Sequence, residues 1–109
     1  MADRGAAQRA TDLKERPMSD SIRDNAAQSR FEMDVDGETA FITYRRGSDA
    51  VDLLHAEVPS HLEGHGHGAR LVRGVLDHLR AEGAKVRPSC SFVVAYMRRH
   101  KDVQDLLAD

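Results

Sequence analysis

The chain of 109 residues is long enough for one small domain. Its formal net charge of -2 at pH 7 gives no overall basic surface for nucleic acid, and no apolar run approaches the ~18 residues that a membrane helix needs. Cys90 is the only cysteine, which excludes an intrachain disulfide and favours a reducing compartment such as the cytoplasm.

The first segment, residues 1–29, has few large apolar side chains and is predicted to be a disordered or weakly helical tail. Met18 offers a second possible start of translation within it. The folded domain is therefore expected over residues 30–109. A tail that carries a targeting signal would place the protein in an organelle instead of the cytoplasm.

Three strands are predicted next. Residues 31–35 alternate apolar and polar side chains, and Asp36-Gly37 is a strong hairpin-turn signal. The aromatic and β-branched run 40–44 forms the partner strand. Residues 51–58 form the third strand, which Pro59 ends because proline has no amide donor for the ladder.

The pattern then becomes helical, after a glycine-rich segment. Apolar residues recur at three- and four-residue spacing, and Gly83 follows them as a C-terminal cap. A short strand is expected over 84–87, a second helix over 92–99 and a final turn over 103–107. The apolar positions of the first helix are Leu71, Val72, Val75, Leu76 and Leu79.

The predicted order, β-β-β-α-β-α, defines an α+β domain with a mixed, mostly antiparallel sheet. It consists of a three-strand meander, a helix, a parallel fourth strand and a C-terminal helix. The crossover between the third and fourth strands is expected to be right-handed. The open edge at residues 31–35 can pair with a second copy or be covered by the tail, so a monomer or a weak homodimer is expected.

Glycines alternate with histidines just before the first helix, in the segment Gly64-His65-Gly66-His67-Gly68. A helix N-terminus offers unpaired amides and a partial positive charge, and glycines let the backbone approach an anion. This combination predicts a diphosphate site. The segment lacks the Gly-Lys-Ser/Thr of a Walker loop and the spacing of the dinucleotide fingerprint. A glycine-rich loop without a ligand is the alternative.

Residues 63–69, Glu-Gly-His-Gly-His-Gly-Ala, resemble motif A of the GNAT acetyltransferases. Residues 31–107 are similar to the small single-domain members of that superfamily, including the motif Pro88-Ser89-Cys90. The resemblance implies a reduced GNAT fold that binds acetyl-CoA and transfers acetyl to a primary amine on a small molecule or a protein. It places the pyrophosphate on the turn and the pantetheine arm along the third strand. The implied cofactor-binding residues are Val58, Glu63, Gly64, His65, Gly66, His67, Gly68 and Ala69.

One residue departs from the motif. Glu63 stands where motif A prefers Arg or Gln, and a carboxylate beside a pyrophosphate is repulsive by ~1 kcal/mol at a wet site. His65, when protonated, and Arg70 are expected to offset this repulsion.

Four residues are candidates for the chemistry. Cys90 follows the fourth strand, where the pantetheine arm would end, and its thiolate can accept an acetyl group; a small buried side chain is the alternative. His55 and Glu57 lie two apart on one strand and share a face, so they can act together as a base, or be ordinary polar surface. By the resemblance, Tyr96 protonates the leaving CoA thiolate, with packing as the alternative.

Two further interpretations remain. The histidines at positions 55, 61, 65 and 67 can be considered as zinc ligands, but a metal would crowd the amides of the turn, so no metal is expected.

The chain also lacks the two helices that follow the first strand in larger GNAT proteins and build much of the acceptor pocket. A non-catalytic acyl-CoA-binding or interaction module is therefore the alternative to an enzyme.

Overall fold

The computed structural model describes residues 21–108, in which a five-stranded sheet is combined with two α-helices. The predicted tail up to residue 20, including Met18, lies outside the described residues. The strands are β1 (Arg23–Asn25), β2 (Arg30–Val35), β3 (Glu38–Arg46), β4 (Val51–Glu57) and β5 (Val86–Pro88). The helices are α1 (His67–Glu82) and α2 (Ser91–Arg99), with 3-10 turns at Ala26–Gln28, Ser60–Leu62 and Lys101–Leu106.

The sheet has the order β1-β2-β3-β4-β5, antiparallel except for the parallel pair β4-β5. This confirms the predicted α+β architecture and the parallel strand after the crossover. The hairpin turn also lies where the sequence places it. Asp36 and Gly37 both have positive φ, 51° and 82°, as a two-residue turn matched to the twist of the strands requires.

The strand β1 falls in the segment that the sequence assigned to the tail. Arg23 and Asn25 pair with β2 and donate hydrogen bonds to the carboxylate of Glu32, which also accepts one from Arg30 Nε at 2.6 Å. Hydrophobic periodicity does not detect β1 because polar side chains attach it to the sheet. Residues 23–25 thus cover part of the β2 edge that was expected to be open.

The core lies on one face of the sheet. Buried apolar residues alternate along β2 and β3, and α1 packs on these two strands while α2 contacts α1, β4 and β5. All five apolar positions predicted for α1 are buried, and Gly83 caps that helix with φ of 76°. None of the helices within residues 21–108 has the length and hydropathy of a membrane span.

Candidate functional site

The glycine turn leads directly into α1. Gly64 and Gly66 have φ of 88° and 82°, a region that side-chain-bearing residues rarely adopt. Gly66 is the N-cap, and the first intrahelical hydrogen bond runs from Arg70 N to Gly66 O at 3.1 Å. The amides of His67, Gly68 and Ala69 therefore have no acceptor within the helix. The N-terminus of α1 presents these donors at the turn.

A cleft of about 480 Å³ opens beside these amides. Its walls are the end of β4 and the segment that follows, the glycine turn, and α2. Seven of the predicted cofactor-binding residues line it, and the exception is His65, whose ring is exposed and lies 6.1 Å from that of His67 between centroids. The residues lining the cleft are Ala56, Val58, Glu63, Gly64, Gly66, His67, Gly68, Ala69, Phe92 and Arg99.

Sequence reasoning missed three of these residues, Ala56, Phe92 and Arg99. Phe92 lies across the start of α1: a Cβ on Gly68 would come within 2.9 Å of the Phe92 Cζ. Arg99 falls at the end of the predicted second helix, where a basic run was interpreted as solvated surface. The sequence did contain a signal for Phe92 and Arg99. They are seven residues apart, and residues seven apart on a helix share a face.

The strands β4 and β5 part at the edge of the cleft. They pair only from Val51↔Val86 to Leu53↔Pro88, and the Leu53 carbonyl then accepts hydrogen bonds from both Ser89 N and Cys90 N, at 2.9 and 3.1 Å. Beyond this point the rest of β4 has β3 on one side and has no strand partner on the other within the described residues. An open strand edge of this kind can pair with an extended amide-containing ligand.

A β-bulge in β4 determines which face of the sheet its later side chains point to. The register with β3 changes from Tyr44↔Leu53 to Thr43↔His55, so Leu54 is the additional residue. Directly paired residues of antiparallel strands point to the same face. His55 therefore shares a face with Thr43, away from the core, although Leu53 two residues earlier is buried.

The bulge separates two groups of predicted site residues. His55 and Glu57 lie on the non-core face, both exposed, with 3.2 Å between His55 Nε2 and Glu57 Oε1. Ala56 and Val58 border the cleft on the other face. The predicted pairing of His55 with Glu57 is present, and β4 lies between this pair and the cleft.

Neither Cys90 nor Tyr96 belongs to the set of described residues that line the cleft. Cys90 is half-buried at the N-cap of α2, packed against the core and bonded through its amide to the point where β4 and β5 part. The Tyr96 hydroxyl accepts a hydrogen bond from Arg73 Nε at 2.8 Å, and its ring stacks on that of His100 at 4.0 Å between centroids. Tyr96 is buried, which fits the packing alternative.

Among residues 21–108, one group of three side chains is close enough together to hold a metal ion, and it contains none of the four histidines considered above. That group is Asp24, His78 and Glu82. The Arg46 guanidinium bonds to the carboxylates of both Asp24 and Glu82, at 3.1 Å, and supplies the positive charge there. His61 pairs with Glu38, with 2.5 Å between Nε2 and Oε2.

Comparison with known protein families agrees with this fold. Residues 30–106 match the model of a family described as GCN5-related N-acetyl-transferase. The chain belongs to that family. The match covers the sheet from β2 onwards, the glycine turn and both helices.

Proposed function

We propose that the cleft binds acetyl-CoA and that the protein transfers the acetyl group to a primary amine. The observation that carries this proposal is the N-terminus of α1, where three amides without helical acceptors and two glycines of positive φ border a cleft next to an open strand edge. Such a terminus suits a pyrophosphate, and the edge of β4 suits the amides of a pantetheine arm. Family membership supports the same cofactor.

Glu63 also borders the cleft, so the carboxylate that departs from motif A is near the proposed ligand. Arg70 lies on the first turn of α1, with 3.0 Å between Arg70 Nη1 and His67 Nδ1. The proposed site therefore combines backbone donors with the charge of Arg70, which offsets the repulsion from Glu63.

The amine is proposed to approach from the non-core face of β4, on which His55 and Glu57 lie, and to reach the thioester through the gap where β4 and β5 part. It must lose a proton before its lone pair attacks the thioester carbon. The imidazole of His55 takes this proton while the Glu57 carboxylate 3.2 Å away holds the ring and stabilises its charge. The C–S bond then breaks, and the CoA thiolate leaves and takes up a proton.

A covalent route through Cys90 is the second possibility for the same reaction. Its thiolate would attack the thioester carbon, release the CoA thiolate and form an acetyl-cysteine, which the amine would then cleave. Two observations favour keeping this route: Cys90 is the N-cap of α2, and its amide bonds to Leu53 O, where β4 and β5 part. A helix N-terminus stabilises a thiolate.

The test is turnover by the untagged full chain. Acetyl-CoA is incubated with primary amines, including polyamines and lysine-containing peptides, and free CoA is quantified by chromatography. CoA release that depends on the amine and exceeds hydrolysis is expected. Tight binding of acetyl-CoA without release for any amine would instead support the alternative, a non-catalytic acyl-CoA-binding module.

A further inference from the structure

Phe92 and Arg99 lie seven residues apart on α2 and both line the cleft. At 1.5 Å per residue, their positions are about 10 Å apart along the helix axis. Phe92 contacts the start of α1 at Gly68, beside the amides proposed to bind the pyrophosphate. The backbone of Arg99 therefore lies further along α2 than Phe92, the residue that contacts the turn.

Arg99 is also unusual in its charge environment. Most other arginines in the described part of the chain bond to a carboxylate or another side chain. Arg73, for example, bonds to Asp102 at 2.7 Å, and Arg80 bonds to Asp105 at 2.8 Å. Across residues 21–108, the guanidinium groups of Arg98 and Arg99 have no such partner. Of these two, only Arg99 borders the cleft.

Arg99 is the last residue of α2 and lies at the end of the helix away from the proposed thioester. Cys90, at the beginning of the helix, is bonded to the point where β4 and β5 part, which is the proposed thioester end. Phe92 lies at the pyrophosphate turn. Beyond the pyrophosphate, CoA carries an adenosine whose ribose bears a 3′-phosphate, and Arg99 is the cation on that side.

We propose that Arg99 binds the 3′-phosphate of CoA, so that the cleft selects 3′-phosphorylated CoA over dephospho-CoA. The inference rests on the proposed function, since it needs CoA in the cleft. A guanidinium suits this role because its planar donors match phosphate oxygens in a bidentate arrangement. Within the basic run at the end of α2, Arg99 then contacts the ligand and Arg98 is an ordinary surface residue.

The experiment is calorimetric titration of CoA and of dephospho-CoA into the wild-type chain, Arg99→Gln and the matched control Arg98→Gln. The wild type is expected to prefer CoA by about tenfold. Arg99→Gln is expected to weaken CoA binding by about tenfold and to leave dephospho-CoA binding unchanged, while Arg98→Gln changes neither.

Three results would overturn the proposal. Equal losses for both ligands in Arg99→Gln would assign this residue to the pyrophosphate. No loss for either ligand would mean that Arg99 does not contact CoA, with the proposed cofactor intact. Absence of binding of both ligands to the wild type would remove the proposed function together with this inference.

Discussion

The ring of Phe92 occupies the space next to Gly68 that a Cβ would fill, with only 2.9 Å from that position to Phe92 Cζ. The two residues join α2 to the first turn of α1 at the wall of the cleft. Phe92 is 44% exposed and lines the cleft, so a ring displaced by a larger neighbour changes the shape of the cleft. The contact therefore links the residue at position 68 to the shape of the cofactor site.

Gly68→Ala is expected to weaken acetyl-CoA binding about threefold to tenfold by displacing the Phe92 ring, while the fold is retained. In a Phe92→Ala background the same substitution is expected to have little effect, because the clash is gone. Calorimetry on the four variants of this double-mutant cycle measures the coupling. Equal effects of Gly68→Ala in both backgrounds would show that the ring does not transmit the change.

Glu57→Gln is expected to lower kcat about tenfold or more, because an amide cannot stabilise the protonated His55 as a carboxylate does. Acetyl-CoA binding should stay the same, since Glu57 and the cleft lie on different faces of β4. Glu38→Gln is a matched control, because Glu38 is also an exposed glutamate paired with a histidine, His61. Equal turnover in the two variants would remove the His55–Glu57 pair from the mechanism.

Cys90→Ala separates the direct and covalent routes. If acetyl passes through Cys90, this variant loses turnover and also the acetyl label that mass spectrometry would detect on the wild-type chain incubated without amine. The substitution is small and the site half-buried, so folding is expected to be retained at a cost of about 1 kcal/mol or less. Full turnover by Cys90→Ala would establish direct transfer from acetyl-CoA to the amine.

Tyr96→Phe tests whether the buried tyrosine acts in packing or in chemistry. Loss of the hydroxyl that accepts a hydrogen bond from Arg73 should lower the free energy of unfolding by about 1 kcal/mol. If packing is its role, turnover by the folded variant stays within about twofold of the wild type. A large fall in kcat without a change in stability would instead assign Tyr96 as the acid that protonates the CoA thiolate.

Stability at low pH should depend on Glu32. Hydrogen bonds from Asn25, Arg30 and Arg23 lower the pKa of its carboxyl from 4.5 to about 2. Because the folded pKa lies below the unfolded value, the contribution of the carboxylate is present above about pH 4.5 and is lost as the pH falls towards 2.

Glu32→Gln is therefore expected to lower the free energy of unfolding by about 1–2 kcal/mol at pH 7, with a difference from wild type that vanishes near pH 2. Denaturant titrations across this pH range measure the effect. The more exposed Asp34, which also bonds to Arg23, provides the control Asp34→Asn, with a smaller expected loss. A difference that is constant with pH would show that the Glu32 charge is not responsible.

Local signals in the sequence predicted much of this fold. The spacing of Leu71, Val75 and Leu79 predicts the buried face of α1, and Asp36-Gly37 predicts the hairpin turn, because both depend on residues close together in the chain. The glycine turn, residues 63–69, likewise contains six of the cleft residues. Each of these features is encoded within a few residues.

The features that were missed depend on contacts between distant residues. The bulge at Leu54 results from pairing with β3, and it alone decides that His55 faces away from the cleft. Phe92 and Arg99 become cleft residues only through the packing of α2 against α1. The polar strand β1 is held by hydrogen bonds to Glu32, which a hydrophobic pattern does not contain.

The most direct test of the central claim is calorimetric titration of the untagged full chain with acetyl-CoA, compared with Gly66→Asn and Gly66→Asp. Asparagine tolerates the positive φ of residue 66, and aspartate has nearly the same shape but adds a negative charge at the proposed pyrophosphate. The account predicts binding by the wild type, weaker binding by Gly66→Asn, and a further loss of about tenfold or more in Gly66→Asp. Equal affinities in all three proteins, or no binding by the folded wild type, would contradict a CoA site at the start of α1.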